Sequence, residues 1–455
     1  YIQDDWEVNE KLMLNLGVRW DYERNPSFEN YVLNPTIAAT MRAYAATITN
    51  LDYNIEDYIS NGNNRSAFKG AIQPRLGFSY DLFGDQRHVI FGGVGRAYDR
   101  NIFDHMAREF TAGSRAGATL NFATALHPCN SGRTCVPWNP ALLTEDGIAA
   151  YLAANPINAN GEVVVINNEI KTPYSDQFSL GMRNTFALWE HDWNSSVAVA
   201  HIRSYDGIYF AYGRRRPDGT YHQFEGQGQT YGNWPGNPAG QSNLLLGVNG
   251  FEYRTTSLLV SLDKPYTEAS KWGINLAYTY SEGEENRPGS TNQNSDATYV
   301  FDYPWASNEF YDSTGVAKHR LVLSGIYSPG WDLIFSSKLI LATPKPLSSI
   351  NRLNSPAPNT CAPITGVASC NDLRAYHDPV TPDGTLGFKQ LDLAVEKRWD
   401  TGTDLTFKVR ADLLNAFNWR NWTSFNTNWG PAGGPLNPTA GSRQRTATPE
   451  PTPPL

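Results

Sequence analysis

Three groups of side chains in this chain suit ligand chemistry. The stretch YGNWPGNPAGQSN offers Tyr231 and Trp234 as aromatic plates beside the amides Asn233 and Asn237. The stretch TYVFDYPWASNEFYD places Tyr299, Phe301, Tyr303, Trp305 and Tyr311 close together. Rings flanked by amides suit a sugar or a peptide, and rings packing loop against loop would look the same. Arg214, Arg215 and Arg216 form a guanidinium run suited to phosphate or another anion, or simply to a solvated loop. Four cysteines stand as two close pairs, Cys129/Cys135 and Cys361/Cys370, in stretches rich in Pro, Gly and Asn. Local disulfides in an oxidising compartment are the expectation. A zinc site is the rival reading, but neither pair has the short spacing of zinc ligands, and only His127 lies near the first.

Catalytic patterns are missing. No G-x-S-x-G, H-E-x-x-H, Walker-type loop or C-x-x-C occurs. His105, His127, His222 and His377 are isolated in loop contexts and read as surface histidines. Binding rather than bond chemistry is therefore expected, with no cofactor and no metal. A net charge of −8 argues against nucleic acid as a partner, since phosphate binding needs a basic surface.

Loops of this kind need a scaffold, and the scaffold is legible as alternation. Twelve stretches place an apolar residue at every second position: 1–7, 12–24, 69–82, 88–100, 174–187, 193–206, 251–266, 272–285, 316–328, 331–343, 387–399 and 404–417. In WGINLAYTY, the residues Trp272, Ile274, Leu276, Tyr278 and Tyr280 share one face. In YIQDDWEVNEKLMLNLGVRWDYE, Leu12 to Tyr22 alternate with Asn15, Arg19 and Asp21. Successive side chains of a strand point to opposite faces, so each stretch predicts a strand with one apolar and one polar side. One run differs: LLTEDGIAAYLAANP reads as a short helix with Thr144 as N-cap and acids in its first turn.

The connections alternate as well. VNEK, FGDQR, LWEHD, TEASK, PG and DTGT close the odd-numbered strands. The segments 25–68, 101–173, 207–250, 286–315 and 344–386 follow the even-numbered ones and run from 30 to 73 residues. Compact soluble domains seldom carry one structureless connection of that length. Each tight turn also has an aromatic neighbour: Trp6, Phe83, Trp189 and Trp193, Tyr266 and Trp272, Tyr327 and Trp331, Trp399. Amphipathic rings take that position where hydrocarbon meets water. Aromatics at six tight turns, all at one end, predict an antiparallel transmembrane β-barrel wall, with lipid on the apolar side and water or a plug on the polar side. The alternative is a secreted all-β carbohydrate-active enzyme or lectin, which predicts short connections at both ends and apolar faces covered by a second sheet. A barrel that only displays its loops, as a surface adhesin, is a further reading.

Several phrases resemble one family in their order and spacing. YIQDDWEVNEKLMLNLGVRWDYE resembles a signature of TonB-dependent outer-membrane receptors, particularly their Oar-like branch. IQPRLGFSYDLFGDQRHVIFGGVGRAYDR, TPYSDQFSLGMRNTF and FKVRADLLNAFNWRNW resemble later strands of the same family. The resemblance runs to about Trp422. It implies location in the bacterial outer membrane and contact with its lipid and lipopolysaccharide. It also implies a barrel of about 22 strands around a plug, coupled to the TonB complex through an N-terminal region absent from this chain. The cargo implied is a scarce small solute, an oligosaccharide or a peptide. On that reading 1–417 is the C-terminal portion of the wall, about its tenth to twenty-first strands, and 418–441 is the last long loop. Residues 442–455 depart from the family. They end in PEPTPPL, where prolines cannot donate to a strand ladder. A disordered tail in place of the final strand is expected there, from truncation or an altered reading frame.

Overall fold

The computed structural model describes residues 1–23, 28–99, 103–112, 121–122, 135–154, 161–213, 215, 217–219, 241–286, 299–300, 310–352, 374–382, 384–400, 402, 405–421, 424–425 and 443–444. Twelve strands form one continuous antiparallel path in sequence order. They are β1 (Ile2–Asn9), β2 (Leu12–Glu23), β3 (Phe68–Asp81), β4 (His88–Tyr98), β5 (Tyr174–Leu188), β6 (His191–Tyr212), β7 (Gln241–Lys264), β8 (Trp272–Glu285), β9 (His319–Gly330), β10 (Leu333–Ala342), β11 (Phe388–Asp400) and β12 (Thr406–Leu413). Each strand pairs with the next, so from β2 to β11 backbone donors and acceptors are consumed inside the sheet. That is the condition for backbone to cross hydrocarbon, which offers no hydrogen bonds of its own.

Register lines up the apolar side. Leu12 stands opposite Tyr80, Tyr80 opposite Ile90, Ile90 opposite Met182, and Met182 opposite Val197. The same line continues through Val260, Tyr278, Leu321 and Leu341. It crosses β2 to β10 with no charged residue. Three residues along, a line on the other face runs Asn15, Gly77, Gly93, Ser179, Ala200, Ser257 and Ser281, all small or polar. Large apolar side chains on the first face are open: Val18 is 50% exposed, Trp20 57%, Leu180 46% and Phe407 58%. No second sheet covers these rows among the described residues, which removes the premise of a soluble sandwich.

Among the described residues, the tight turns fall where alternation predicts them, with one shift. The β9–β10 turn is Trp331–Asp332, two residues beyond the Pro-Gly pair, because β9 continues to Gly330. Trp331 and Asp332 both have φ of 55°, as Trp189 and Glu190 have 52° and 60° in the β5–β6 turn. Two left-handed residues match the twist of the flanking strands. A bulky ring is unusual there, and both tryptophans are strongly exposed at this rim. In the β3–β4 turn, Asp81 accepts the backbone N–H groups of Phe83, Gly84 and Gln86. Trp193, by contrast, is buried and packs against Trp272 with ring centres 6.1 Å apart.

The opposite rim departs from its expected form. The span 207–250 was expected to be loop, yet β6 runs on to Tyr212 and β7 begins at Gln241. A register shift around Gly207 lets the ladder continue past the wall. The proline-rich end, 442–455, lies outside the described residues apart from Arg443 and Gln444, which pair with Phe425 and Ser424.

Replacing Leu180 with Arg puts a charge on the apolar face near mid-strand and should cost about 2–4 kcal/mol. The same change at Gln177, on the other face, should cost under about 0.5 kcal/mol. Urea unfolding of the protein in lipid vesicles measures both; equal losses would contradict the assignment of faces.

Candidate functional site

The buried apolar core lies beyond the wall, among the long connections. Above the wall, β6 and β7 form a ladder flanked by two short strands. Gly161–Ile166 runs parallel to β7, and Tyr299–Val300 runs parallel to β6. Alternate residues of this small sheet enter two cores. Val163, Val165, Tyr209, Ala211, Leu244 and Leu246 meet α1 (Pro35–Ala45) and the turn Ile55–Tyr58. Val164, Ile166, Phe210 and Leu245 meet Met106 of α2 (Phe103–Ala112) and Ile170. A sheet covered on both sides is fully dry, which is why EVVVI and NLLLGV are unbroken apolar runs and not alternating ones.

Helix α1 starts because Asn34 accepts the Thr36 N–H and Pro35 occupies the first position. Its buried side is Ile37, Ala38, Met41 and Tyr44, one stripe at helical spacing. The expected helix is present as α3 (Glu145–Ala154), and the Thr144 hydroxyl accepts the Gly147 N–H at 3.2 Å.

Two buried arginines tie the connections together. Arg65 donates to both carboxylate oxygens of Glu109 at 2.6 Å. It also reaches the Ile166 carbonyl and the Asn168 amide oxygen, each at 2.9 Å. Glu109 takes the Ile166 N–H at 2.8 Å. The pair is almost wholly shielded from water, with side chains 0% and 1% exposed. A charge pair in a dry site is tolerated when further hydrogen bonds serve its remaining donors and lone pairs, as the Ile166 and Asn168 contacts do here. Tyr31 lies beside it; burial and the Glu109 charge push its hydroxyl up to about 12, with Arg65 opposing.

The second arginine is Arg215, one of the candidate anion ligands. Its guanidinium is buried against Asp52 at 2.8 Å and lies 5.5 Å from the centre of the Tyr53 ring. Its backbone N–H donates to the Tyr44 hydroxyl at 2.7 Å. Tyr53 in turn donates to the Gly213 carbonyl, and burial raises its hydroxyl pKa strongly. Arg215 thus fastens the stem of the β6–β7 connection to the connection between β2 and β3.

The other ring and guanidinium candidates, Arg214, Arg216, Tyr231, Asn233, Trp234, Tyr303 and Trp305, lie outside the described residues. So do Cys129, Cys361 and Cys370; Cys135 is disulfide-bonded. Among the described residues no group of three or more His, Cys, Asp or Glu side chains could hold a metal. The residues that sequence reading missed are Asp52, Arg65 and Glu109, whose only signal was their place in long connections.

A family model described as outer membrane beta barrel domain matches residues 1–332. Among solved structures, the outer membrane transporter YddB from Escherichia coli aligns at 14% identity and a TM-score of 0.47, over 90% of this chain and 40% of that one. The siderophore receptor PirA from Pseudomonas aeruginosa aligns at 12% and 0.37, over 92% and 44%. The copper transporter OprC aligns at 13% and 0.40, over 91% and 41%. The chain therefore spans less than half the length of each. No curated protein matches.

Replacing Arg65 with Ala strands the Glu109 carboxylate and should destabilise this rim by about 3–5 kcal/mol. Proteolysis within 28–67 should accelerate while the wall keeps its folded, heat-modifiable migration. Pairing Arg65→Met with Glu109→Leu should recover only part of the loss, because the Ile166 N–H and carbonyl then lose these partners. Failure of the single change to alter protection would remove the pair from its tethering role.

Proposed function

Because the chain belongs to the outer membrane beta barrel domain family and so lies in the bacterial outer membrane, we propose that it is the C-terminal part of a TonB-dependent receptor. Its branch is the Oar-like one, named by the order of the phrases from Tyr1 to Trp422. In this reading the long-loop rim captures a scarce solute and the polar face lines a lumen that holds a plug. Energy delivered through the TonB complex, by a region outside this chain, displaces the plug and admits the solute. The activity is capture and passage, with no bond made or broken.

The observation that carries this reading is the contrast between the two rims. One is closed by tight turns such as Trp189–Glu190 and Trp331–Asp332. At the other, connections after β2, β4 and β6 share two dry cores and two buried arginines. A wall meant only to close a hole needs no such structure. Solute recognition falls to what these stems present: Tyr231, Asn233 and Trp234 between β6 and β7, and Tyr303 and Trp305 between β8 and β9. Arg214 and Arg216 flank the anchored Arg215 and offer the anion contacts, to a solute or to lipopolysaccharide phosphate. Rigid stems under variable tips are how loops on a scaffold carry binding.

Two concavities on the polar face are consistent with a wet lumen. One, of about 710 Å³, lies at the tight-turn rim among Glu7, Lys11, Asp81, Arg87, Arg183 and Asp263. The other, of about 580 Å³, lies mid-wall beside Asn15, Arg75 and Gln177. Acids and bases alternate in the first, as befits a surface that faces water or another polar body and not lipid.

The test uses cells carrying the full-length receptor and panels of ferric siderophores, oligosaccharides and peptides. Uptake of one class should stop when the inner-membrane proton gradient is collapsed, while surface capture persists. Trp234→Ala should weaken capture about tenfold, roughly 1.4 kcal/mol, without changing folded migration. Uptake indifferent to the gradient would mean a passive pore. Capture without any uptake would favour an adhesin.

A further inference from the structure

One acid at the long-loop rim breaks the rule that a buried charge is paired. Glu285 is the last residue of β8 and is 2% exposed. Its Oε1 has no hydrogen-bond partner. Its Oε2 accepts a long bond, 3.4 Å, from the Ser313 hydroxyl, and the Thr314 N–H also donates to the carboxyl. Glu282 and Glu284 alternate with Gly283 and Glu285 in this strand, and two carboxylates on the lipid-side face put this end of β8 beyond the hydrocarbon.

What covers Glu285 is the chain returning toward β9. Tyr311 stands opposite it in register, and the Ser313 N–H donates to the Gly283 carbonyl at 2.8 Å. A Cβ on Gly283 would lie 2.8 Å from Val316 and 3.1 Å from the Tyr253 hydroxyl. That position is kept bare so that the turn from Ser313 to Val316 can lie flat on the strand.

The charges described around it leave the acid uncompensated. On β7 its register partner is Tyr253. Glu252 and Arg254 point to the other face, where they engage Arg203 at 2.8 Å and Glu284 at 2.7 Å. On the returning segment, Asp312 and Lys318 lie 3.9 Å apart and are half-exposed. Among the side chains described, no cation pairs with Glu285.

We infer that Glu285 and the Ser313–Val316 turn form a proton-sensitive latch at the long-loop end of the wall, held shut by the neutral carboxyl and released when it ionises. The closed turn excludes the water that an ionised carboxylate needs. Opening returns Glu285 to solvent and frees the strand edge that Ser313 occupies. The latch stands on the wall's own geometry and is independent of what the receptor carries.

The direction of the effect follows from burial. Shielding pushes the carboxyl up to about 7 in the closed form, against an ordinary 4.5, with the Ser313 and Thr314 donors pulling the other way. The folded value is raised, so proton binding favours closure. Closure is strongest below the ordinary value, weakens as pH rises toward about 7, and is constant above that.

Hydrogen exchange on the full-length protein in lipid nanodiscs reads this directly, through the Ser313 amide. After correction for intrinsic rates, its opening constant should rise about tenfold per pH unit above the ordinary carboxyl range and level off near neutrality. Glu285→Gln should hold the amide at the low-pH level throughout. Ser313→Ala, read at Val316, removes a donor that favours the ionised form and should move the plateau to higher pH. Should the glutamine variant fail to assemble, the wild-type profile and the Ser313→Ala shift decide. A wild-type profile without the rise, or the same rise in Glu285→Gln, would overturn the latch.

Discussion

Hydrocarbon cannot hydrogen-bond to a peptide group, and that constraint orders everything else in this molecule. Every strand of the wall is paired to its sequence neighbour, from β1 through β12. A one-residue slip would carry a strand's whole apolar set to the other face. The line from Leu12 to Leu341 shows how closely that is avoided: each member is opposed by another apolar or aromatic residue. Tight turns keep register at one rim, and exposed tryptophans mark its depth.

With its apolar face committed outward, the wall has no core of its own. Water-excluding packing occurs where three connections converge above it. The extended β6–β7 hairpin supplies the platform, Gly161–Ile166 widens it, and α1 and α2 cover its two sides. Arg65 and Arg215 then bind segments far apart in sequence: Arg65 to Glu109 and Ile166, Arg215 to Asp52 and Tyr44. The arrangement couples the connections, so a ligand held by one is held by a body rather than by a thread.

The wall was legible because period two survives in every stretch of it. All twelve predicted stretches overlap an observed strand, and most of their ends agree within two or three residues. Thr144 and its helix were legible from local capping chemistry. The platform was not. EVVVI and NLLLGV lack alternation because both their faces are buried, and a short apolar run does not declare strand or helix by period alone. GIYFAY does carry the continuation of β6, but Gly207 and Asp206, with its φ of 56°, mark a bulge that reads as a strand end. Arg65, Glu109 and Asp52 gave no signal beyond their place in long connections, since a buried ion pair between distant residues has no spacing to read. Glu285 reads in sequence as one acid of an exposed strand end; only the returning turn makes it dry.

The assignment of lipid and water to the two faces is tested most directly by spin labels placed singly from residue 176 to 186 on β5, in the protein reconstituted in vesicles. Oxygen partitions into hydrocarbon and a nickel chelate into water. Even-numbered sites from Phe178 to Met182 should be relaxed by oxygen, and Gln177, Ser179 and Gly181 by nickel, alternating site by site. Equal access of the nickel chelate to both sets, or protection of the even-numbered sites from both reagents, would contradict a wall that faces lipid.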